Sequence, residues 1–597
     1  MMRKLLWVWA LMLIILLPSI GQAATYYISP SGDNGDAGGT GDPWKTFAFA
    51  LASAQLDPGD TLVLKDGTYS TAAGTGVPDI DCDSGYDDGT SGNVITMTAE
   101  NERQAKIQGT ASEQTFYMDN CSYWTINGIH LANVDGDTPE PSGFPLLIEN
   151  SDNLTLTRNI AAYSNSYNNT HCMKFVNVDN SLIEENEGYE CHRHTFSFTS
   201  CDSNIIRRNY ANGRDKADVG GGFPSDPTNN NDTAIAIYPG SYNIIENNIS
   251  DNTGAGFVME STALSIDNEW LGNMAVDGNY GFVFHARGDS LTLMPQDTII
   301  ENGVAINPTY YGAYFRNNKN TNCTNCTFIG AGIGGFAADR DGTYAGDGSP
   351  SAFAENVLSL SNTSYGFYFS QQADFGVDYS NAFGQSYPLW PTSSGNYANN
   401  LTENAEMGTC YLWIPDGSAM EGVGSGGADI GANILYQYED GTITATKLWN
   451  ATTGVFTGCG ATVTGLNDQA GESCFDVHQR LNVNYNGCSF PAAYSGGPIV
   501  PELTIASGVM SFTGSGWGND MWRVIVNKTE MNNLTEQYFG ILDSLGKFNA
   551  AGSGTFNDLD NSVIVIPSGQ TRYIRICPAT VGVGCIVKSD EEAYTAP

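Results

Sequence analysis

Apolar-rich segments of strand length that end in asparagine recur through the middle of the chain. They are LTLTRN to Asn159, LIEEN to Asn186, IIRRN to Asn209, IIENN to Asn248, EWLGN to Asn273 and IIEN to Asn302. The steps between these asparagines are 27, 23, 39, 25 and 29 residues. A second mark, Gly-Phe or a near variant, returns at Gly256, Gly281, Gly312, Gly335 and Gly366. Short strands, Gly and Asn turns, a period in the twenties and no helical periodicity predict a β-solenoid. Leucine-rich repeats share that period, but their regular leucine consensus is absent. Asn suits the corners because it tolerates left-handed backbone, and stacked Asn side chains can bond from rung to rung. Each coil then rises by about 4.8 Å, so residues equally distant from their anchor asparagines are expected in one column.

Ahead of the repeats, Tyr26 to Ser29 reads as a strand, Trp44 to Leu56 is apolar at helical spacing, and TLVLKDGTY reads as a strand and turn. This opening, TYYISPSGDNGDAGGTGDPWKTFAFALASAQLDPGDTLVLKDGTYS, resembles the entry segment of secreted right-handed parallel β-helix proteins, the pectate-lyase-like group. Many of those are bacterial polysaccharide lyases. The resemblance implies an all-β, right-handed parallel β-helix whose short helix covers the open end of the coil, where unpaired strand backbone would otherwise be exposed. GSGGADIGANILYQYED, residues 424–440, resembles the last coil of such proteins. From Pro501 the alternating segments LTIASGVMSF, WRVIVN, QYFGIL, SVIVIP and TRYIRICPA predict a small antiparallel β-sandwich, loosely similar to a fibronectin type III module. The expected division is a leader over 1–23, an N-terminal cap and first coils over 24–110, the parallel β-helix over 111–440, a Cys- and Gly-rich connection over 441–500 and the sandwich over 501–597.

Charge narrows the class of partner. The 597 residues carry 65 acidic and 25 basic side chains, a net charge of -40, which disfavours nucleic acid because its phosphates would be repelled. Apolar residues at 41% and aromatics at 11% set the chain apart from a disordered acidic tail. Arg3 and Lys4, the apolar run Leu5 to Leu17 and the small residues of Gly21-Gln22-Ala23 read as an export signal, so a secreted or cell-surface protein is expected, with no membrane span after cleavage. The 13 cysteines then sit in an oxidising compartment, and their odd number leaves at least one without an intrachain partner. Cys577 and Cys585 can close a hairpin, while the lone Cys323-x-x-Cys326 reads as packing within a repeat.

The step from Asn209 to Asn248 exceeds its neighbours by about 14 to 16 residues, and a solenoid accommodates such an insertion as an external loop, often on a binding face. The insertion is GRDKADVGGGFPSDPTNNND, residues 213–232. Basic residues gather beside it: residues 158–216 hold Arg158, Lys174, Arg193, Arg207, Arg208, Arg214 and Lys216, whereas 217–286 hold nine acids and no Lys or Arg. Counting from the anchors, His192, Arg193 and His194 are expected in one column with Arg214, Asp215 and Lys216, and His171 in a column with His285.

These residue types suit β-elimination on an acidic polysaccharide. That reaction needs the uronate carboxylate neutralised, a base to take the C5 proton and a proton for the leaving oxygen. Arg193 and Arg214 are the candidate carboxylate clamps. Lys216, His194 and His192 are the candidate bases, and Asp215, Asp218, Asp226 and Asp232 are candidate ligands for Ca2+, although their spacing matches no EF-hand loop. No local catalytic motif of the resembling lyases or of mannuronan epimerases is present. Inter-rung salt bridges to Glu184, Glu185, Glu187 and Glu190 would equally explain the basic patch, and a polar bulge the loop. Arg287-Gly288-Asp289 reads as a turn, and Phe257, Phe282, Phe336 and Phe367 as inward stacks. Two functions follow: a carbohydrate-active protein that cleaves a uronate-containing polysaccharide, or a non-catalytic cell-surface or matrix protein that binds glycan.

Overall fold

The computed structural model describes residues 23–447 apart from 53, 111–113, 134–142, 163, 165–169, 190, 192, 214–232, 252, 262, 287–294, 340–350, 371–373, 391–395, 408–413, 415–416 and 434–435. Beyond residue 447 it describes strand segments only. Three long parallel sheets, of fourteen, twelve and twelve strands, account for the repeats. Each coil contributes one strand to each sheet in the same order. In one coil these are Ile205–Arg207 in the first sheet, Tyr210–Asn212 in the second and Thr233–Tyr238 in the third. The protein is therefore a parallel β-helix, as the repeat spacing predicts.

The interior is lined by aromatic and aliphatic side chains. Phe175 stacks on Phe198 at 4.7 Å and Phe257 on Phe282 at 5.1 Å, and both pairs are fully buried. Phe336 and Phe367 point inward with them, so the Gly-Phe marks place their phenylalanines in the core. Cys323 and Cys326 are buried free thiols in that core, consistent with packing rather than redox chemistry. At the N-terminus, Thr46 caps a helix that covers only Phe47–Ala50, shorter than the apolar spacing suggests. Its Phe47 packs against Tyr69 of the first coils at 5.4 Å.

The asparagines do more than tolerate a corner. Between the first and second sheets, the amide of Asn159 donates to Asn186, Asn186 to Asn209, Asn209 to Asn248 and Asn248 to Asn273, at 3.0–3.1 Å. All five side chains are buried, and each satisfied amide rewards exact coil alignment, because an orphan there would cost about 1–3 kcal/mol. The left-handed backbone falls one residue earlier, at Arg158, Glu185, Arg208 and Asn247. Asn302 occupies that earlier position, with φ 52°, so it is not a rung of the ladder. A second, shorter ladder runs from Asn204 through Asn243 to Asn268 at the corner from the third sheet back to the first.

Residues 424–440 do not add a coil. Ser425 and Gly431 bond to Asn356, Asn433 to Asn302 and Tyr438 to Asn247, so the segment runs back along the outside of the first corner, across earlier coils. Gly272, at φ 62°, makes room for it: a Cβ there would lie 3.1 Å from the Tyr438 ring. Near the C-terminus, the described strands form two three-stranded antiparallel sheets. Their mutual packing, the 457–501 stretch and the Cys577–Cys585 pairing lie outside the described residues, as do residues 1–22 of the leader expected over 1–23.

Candidate functional site

The five described basic residues of 158–216 divide between two places. Arg158, Arg207 and Arg208 sit at the corner between the first and second sheets. Arg158 pairs with Glu185 at 3.0 Å and Arg207 with Glu184 at 3.1 Å, while Arg208 bonds Glu184 and reaches Glu439 at 2.8 Å. Arg207 also meets Asp440 at 2.8 Å, and Arg103 meets Glu187 at 2.5 Å. Inter-rung ion pairing thus accounts for these arginines, of which Arg207 and Arg208 also clamp the returning 424–440 segment onto the coils.

Lys174 and Arg193 lie elsewhere, on the outer face of the third sheet. Lys174 belongs to the strand His171–Asp179, where Met173 and Phe175 point inward and the intervening lysine must point out. Neighbouring strands bring His171 beside His194, and His194 beside Thr233. The His171 and His194 rings are 4.7 Å apart, and Phe144 stacks on His171 at 5.8 Å. His194 Nε2 and the Tyr238 hydroxyl share a hydrogen bond of 3.2 Å. Lys174 Nζ lies 5.1 Å from the Phe144 ring centre and the Arg193 guanidinium 6.0 Å from that of Tyr238, which are cation–π distances. The Cys172–Cys191 disulfide ties the same two coils together.

Electrostatics separates the roles of these groups. Burial holds the Lys174 ammonium below its ordinary range, and the Arg193 charge pushes the same way, against the opposing pull of Glu149. A lysine lowered in this way is closer to neutral and so a better base. His171 and His194 are 5% and 1% exposed, so His194 faces the outside through its bond to the half-buried Tyr238.

Several expectations change here. The residue stacked on His194 is Thr233, because strand register resumes only after the insertion, so offsets counted from Asn209 do not give the column. His171 aligns with His194 and through the following coils with Tyr280, whereas His285 pairs with Glu260 and Arg316, in another column. His192, Arg214, Asp215, Lys216, Asp218, Asp226 and Asp232 lie outside the described residues. Among the described residues, the one grouping close enough to share a metal ion is Cys82, Asp88 and Cys121. Its two sulfurs are bonded to each other as a disulfide, so it does not suit a cation. Lys174, counted only among the gathered basic residues, and Tyr238 are not among the site residues expected from the sequence, although the alternation in HCMKFVNV marks Lys174 as outward.

The class that this architecture defines is the three-sheeted parallel β-helix, the pectate-lyase-like fold. Among solved structures, the chain is similar to the pectate lyase Pel9A, at 16% identity and TM-score 0.38, covering 69% of this chain and 96% of that one. It is also similar to a PL6-family polysaccharide lyase from Pseudopedobacter saltans, at 13% identity and TM-score 0.43, covering 60% and 91%. A third is the GH136 lacto-N-biosidase from Eubacterium ramulus, at 11% identity and TM-score 0.40, covering 67% and 70%. No family model and no curated protein matches the sequence.

Proposed function

We propose that the protein is an exported, carbohydrate-active β-helix protein that holds an acidic polysaccharide on the outer face of the third sheet and cleaves uronate chains there by β-elimination. One observation carries this reading: Lys174, Arg193, His171, His194 and Tyr238 converge on or beside three adjacent strands of the third sheet, the last of which directly follows the 214–232 insertion. Two disulfides, Cys82–Cys121 and Cys172–Cys191, suit an oxidising exterior.

In this proposal Arg193, with Arg214, neutralises the uronate carboxylate and so acidifies the C5 proton. A base takes that proton, the electron pair forms the C4–C5 double bond, and the C4–O glycosidic bond breaks. Lys174, lowered by burial, joins Lys216 and His192 as candidate base. His194 acts as a positioning residue that orients the Tyr238 hydroxyl, and this hydroxyl can supply the proton that the leaving oxygen needs. Ca2+ held by Asp215, Asp218, Asp226 and Asp232 would add to carboxylate neutralisation. The burial of both histidines favours a second reading, a face that binds glycan without cleaving it.

Incubation with polygalacturonate, alginate and chondroitin, with and without a calcium chelator, separates the two. Ultraviolet absorbance of unsaturated products is expected from at least one polymer, and is lost on Arg193→Ala. Binding without product removes the catalytic reading and keeps the binding one; neither binding nor product removes both.

A further inference from the structure

The outer face of the third sheet changes character beyond the candidate site. Along the column that starts at His171 and His194, the following coils place Thr233, Ala255, Tyr280, Tyr311, Gly334, Tyr365 and Tyr387. Along the column of Lys174 they place Ser197, Ala236, Val258, Val283, Tyr314, Ala337, Tyr368 and Trp390. A low floor of small residues therefore leads from the basic cluster to a strip of phenols and one indole. Tyr311 and Tyr314 stack at 5.4 Å, Tyr365 and Tyr387 at 5.6 Å, and Tyr387 meets Trp390 at 5.5 Å. The far end is open: Tyr387 is 49% and Trp390 44% exposed.

Local sequence explains why these rings face out. Tyr280, Tyr311 and Tyr365 each precede a glycine at which the backbone turns inward. A Cβ on Gly281 would lie 2.4 Å from both the Ala305 Cβ and the Gly312 carbonyl oxygen. The glycine lets the strand dip, the following residue (Phe282, Ala313 or Phe367) enters the core, and the tyrosine stays outside.

We propose that this strip is an extended platform for the same polysaccharide, in which sugar rings stack on Tyr311, Tyr365, Tyr387 and Trp390 while the uronate end lies at the basic cluster. The inference rests on the reading under Proposed function for the identity of the chain. Three features select a glycan. The strip continues, in register, the two columns of the candidate site. Its rings recur one or two rungs apart, with Gly334 and Ala337 between them at one rung, and each rung of about 4.8 Å is comparable to one sugar of an extended chain. Its aromatic faces end in hydroxyl groups and are bordered by Glu260, His285, Arg316 and Asp339 in one column, which suits a ligand with apolar ring faces and polar edges. From the His194 strand to the Tyr387 strand there are seven rung steps, about 34 Å, so only a long oligomer reaches both ends.

The test is calorimetric binding of polygalacturonate and alginate oligomers of about four and about ten sugars, the longer ones sized to the seven-rung span, to wild type, Tyr387→Ala/Trp390→Ala and Arg193→Ala, with circular dichroism to verify folding. Loss of two stacking rings is expected to weaken the long oligomer by about tenfold or more and the short one by less than about twofold. That loss persists in high salt, whereas the Arg193→Ala loss shrinks as salt screens charge. Quenching of Trp390 fluorescence by the long oligomer, read against Trp390→Phe, gives a second readout that needs no destabilising change. Equal affinity of wild type and the double variant for the long oligomer overturns the platform, even if elimination products form. Long-oligomer binding that depends on the strip, without any product, keeps the platform and removes only the catalytic reading. A double variant that changes the state of assembly and leaves glycan affinity intact assigns the strip to a second copy of the chain and overturns the proposal.

Discussion

Two groups of cations, interleaved in sequence, are treated oppositely by the fold. At the corner between the first and second sheets, Arg103, Arg158, Arg207 and Arg208 are embraced by Glu102, Glu184, Glu185, Glu187, Glu246, Glu439 and Asp440. On the third sheet, Lys174 and Arg193 lie over rings, and among the described residues Lys174 forms no ion pair. A buried guanidinium needs its carboxylates to offset lost hydration. A cation held by aromatic faces keeps much of its field available to a ligand. Positive charge in this acidic chain therefore serves cohesion in one place and, in our reading, recognition in the other.

The comparison is most severely tested at Arg208, whose side chain is 4% exposed. Arg208→Ala takes one guanidinium partner from each of Glu184, Glu185 and Glu439, while Arg207 and Arg158 still hold Glu184 and Glu185, and is expected to cost about 2 kcal/mol or more in denaturant unfolding. Glycan binding per folded molecule should stay unchanged; a selective loss of binding would mean that the corner belongs to the site.

A smaller effect is expected at His130, beside the corner. Burial, with the charges of Lys106 and Arg103, holds its pKa down at about 3. Its folded value lies below the unfolded one of about 6.5, so the unfolded chain takes up the proton first. Stability is full above that range and declines as pH falls from about 6.5 toward 3. The thermal midpoint should therefore drop by roughly several degrees between neutral pH and pH 4.5, and His130→Gln should flatten part of that slope. An unchanged slope would remove His130 as its source.

The smallest effect on stability belongs to the other region. Lys174→Met keeps the aliphatic packing and is expected to change unfolding free energy by less than about 1 kcal/mol. In the proposed role, it lowers product formation by at least about tenfold. A variant that unfolds readily would place Lys174 with the structural arginines and erase the contrast.

How far each feature was legible depends on how local its cause is. The Asn ladder announces itself because each rung repeats the same short segment. Lys174 was readable from one strand's alternation, and the outward tyrosines from the repeated Tyr-Gly pair, yet the Gly-Phe signal drew attention to the residues that go inward. The columns were not readable by counting. Loops between the second and third sheets vary in length from coil to coil, so an offset from Asn209 carries no information about what lies beyond the 214–232 insertion. The return path of 424–440 was invisible for the same reason, since its partners at Asn247 and Asn302 are remote in sequence.

The sequence by itself determined the repeating unit: strand length, the Asn corners, the aromatic interior and the parallel coil that follows from stacking them. These are short-range choices repeated many times, and a period is visible without knowing any contact. Only the tertiary structure decided which charged residues meet. Coil stacking sets side chains from distant positions one rung apart, and the direction of each strand face determines whether an arginine finds carboxylates at a corner or rings on an open sheet.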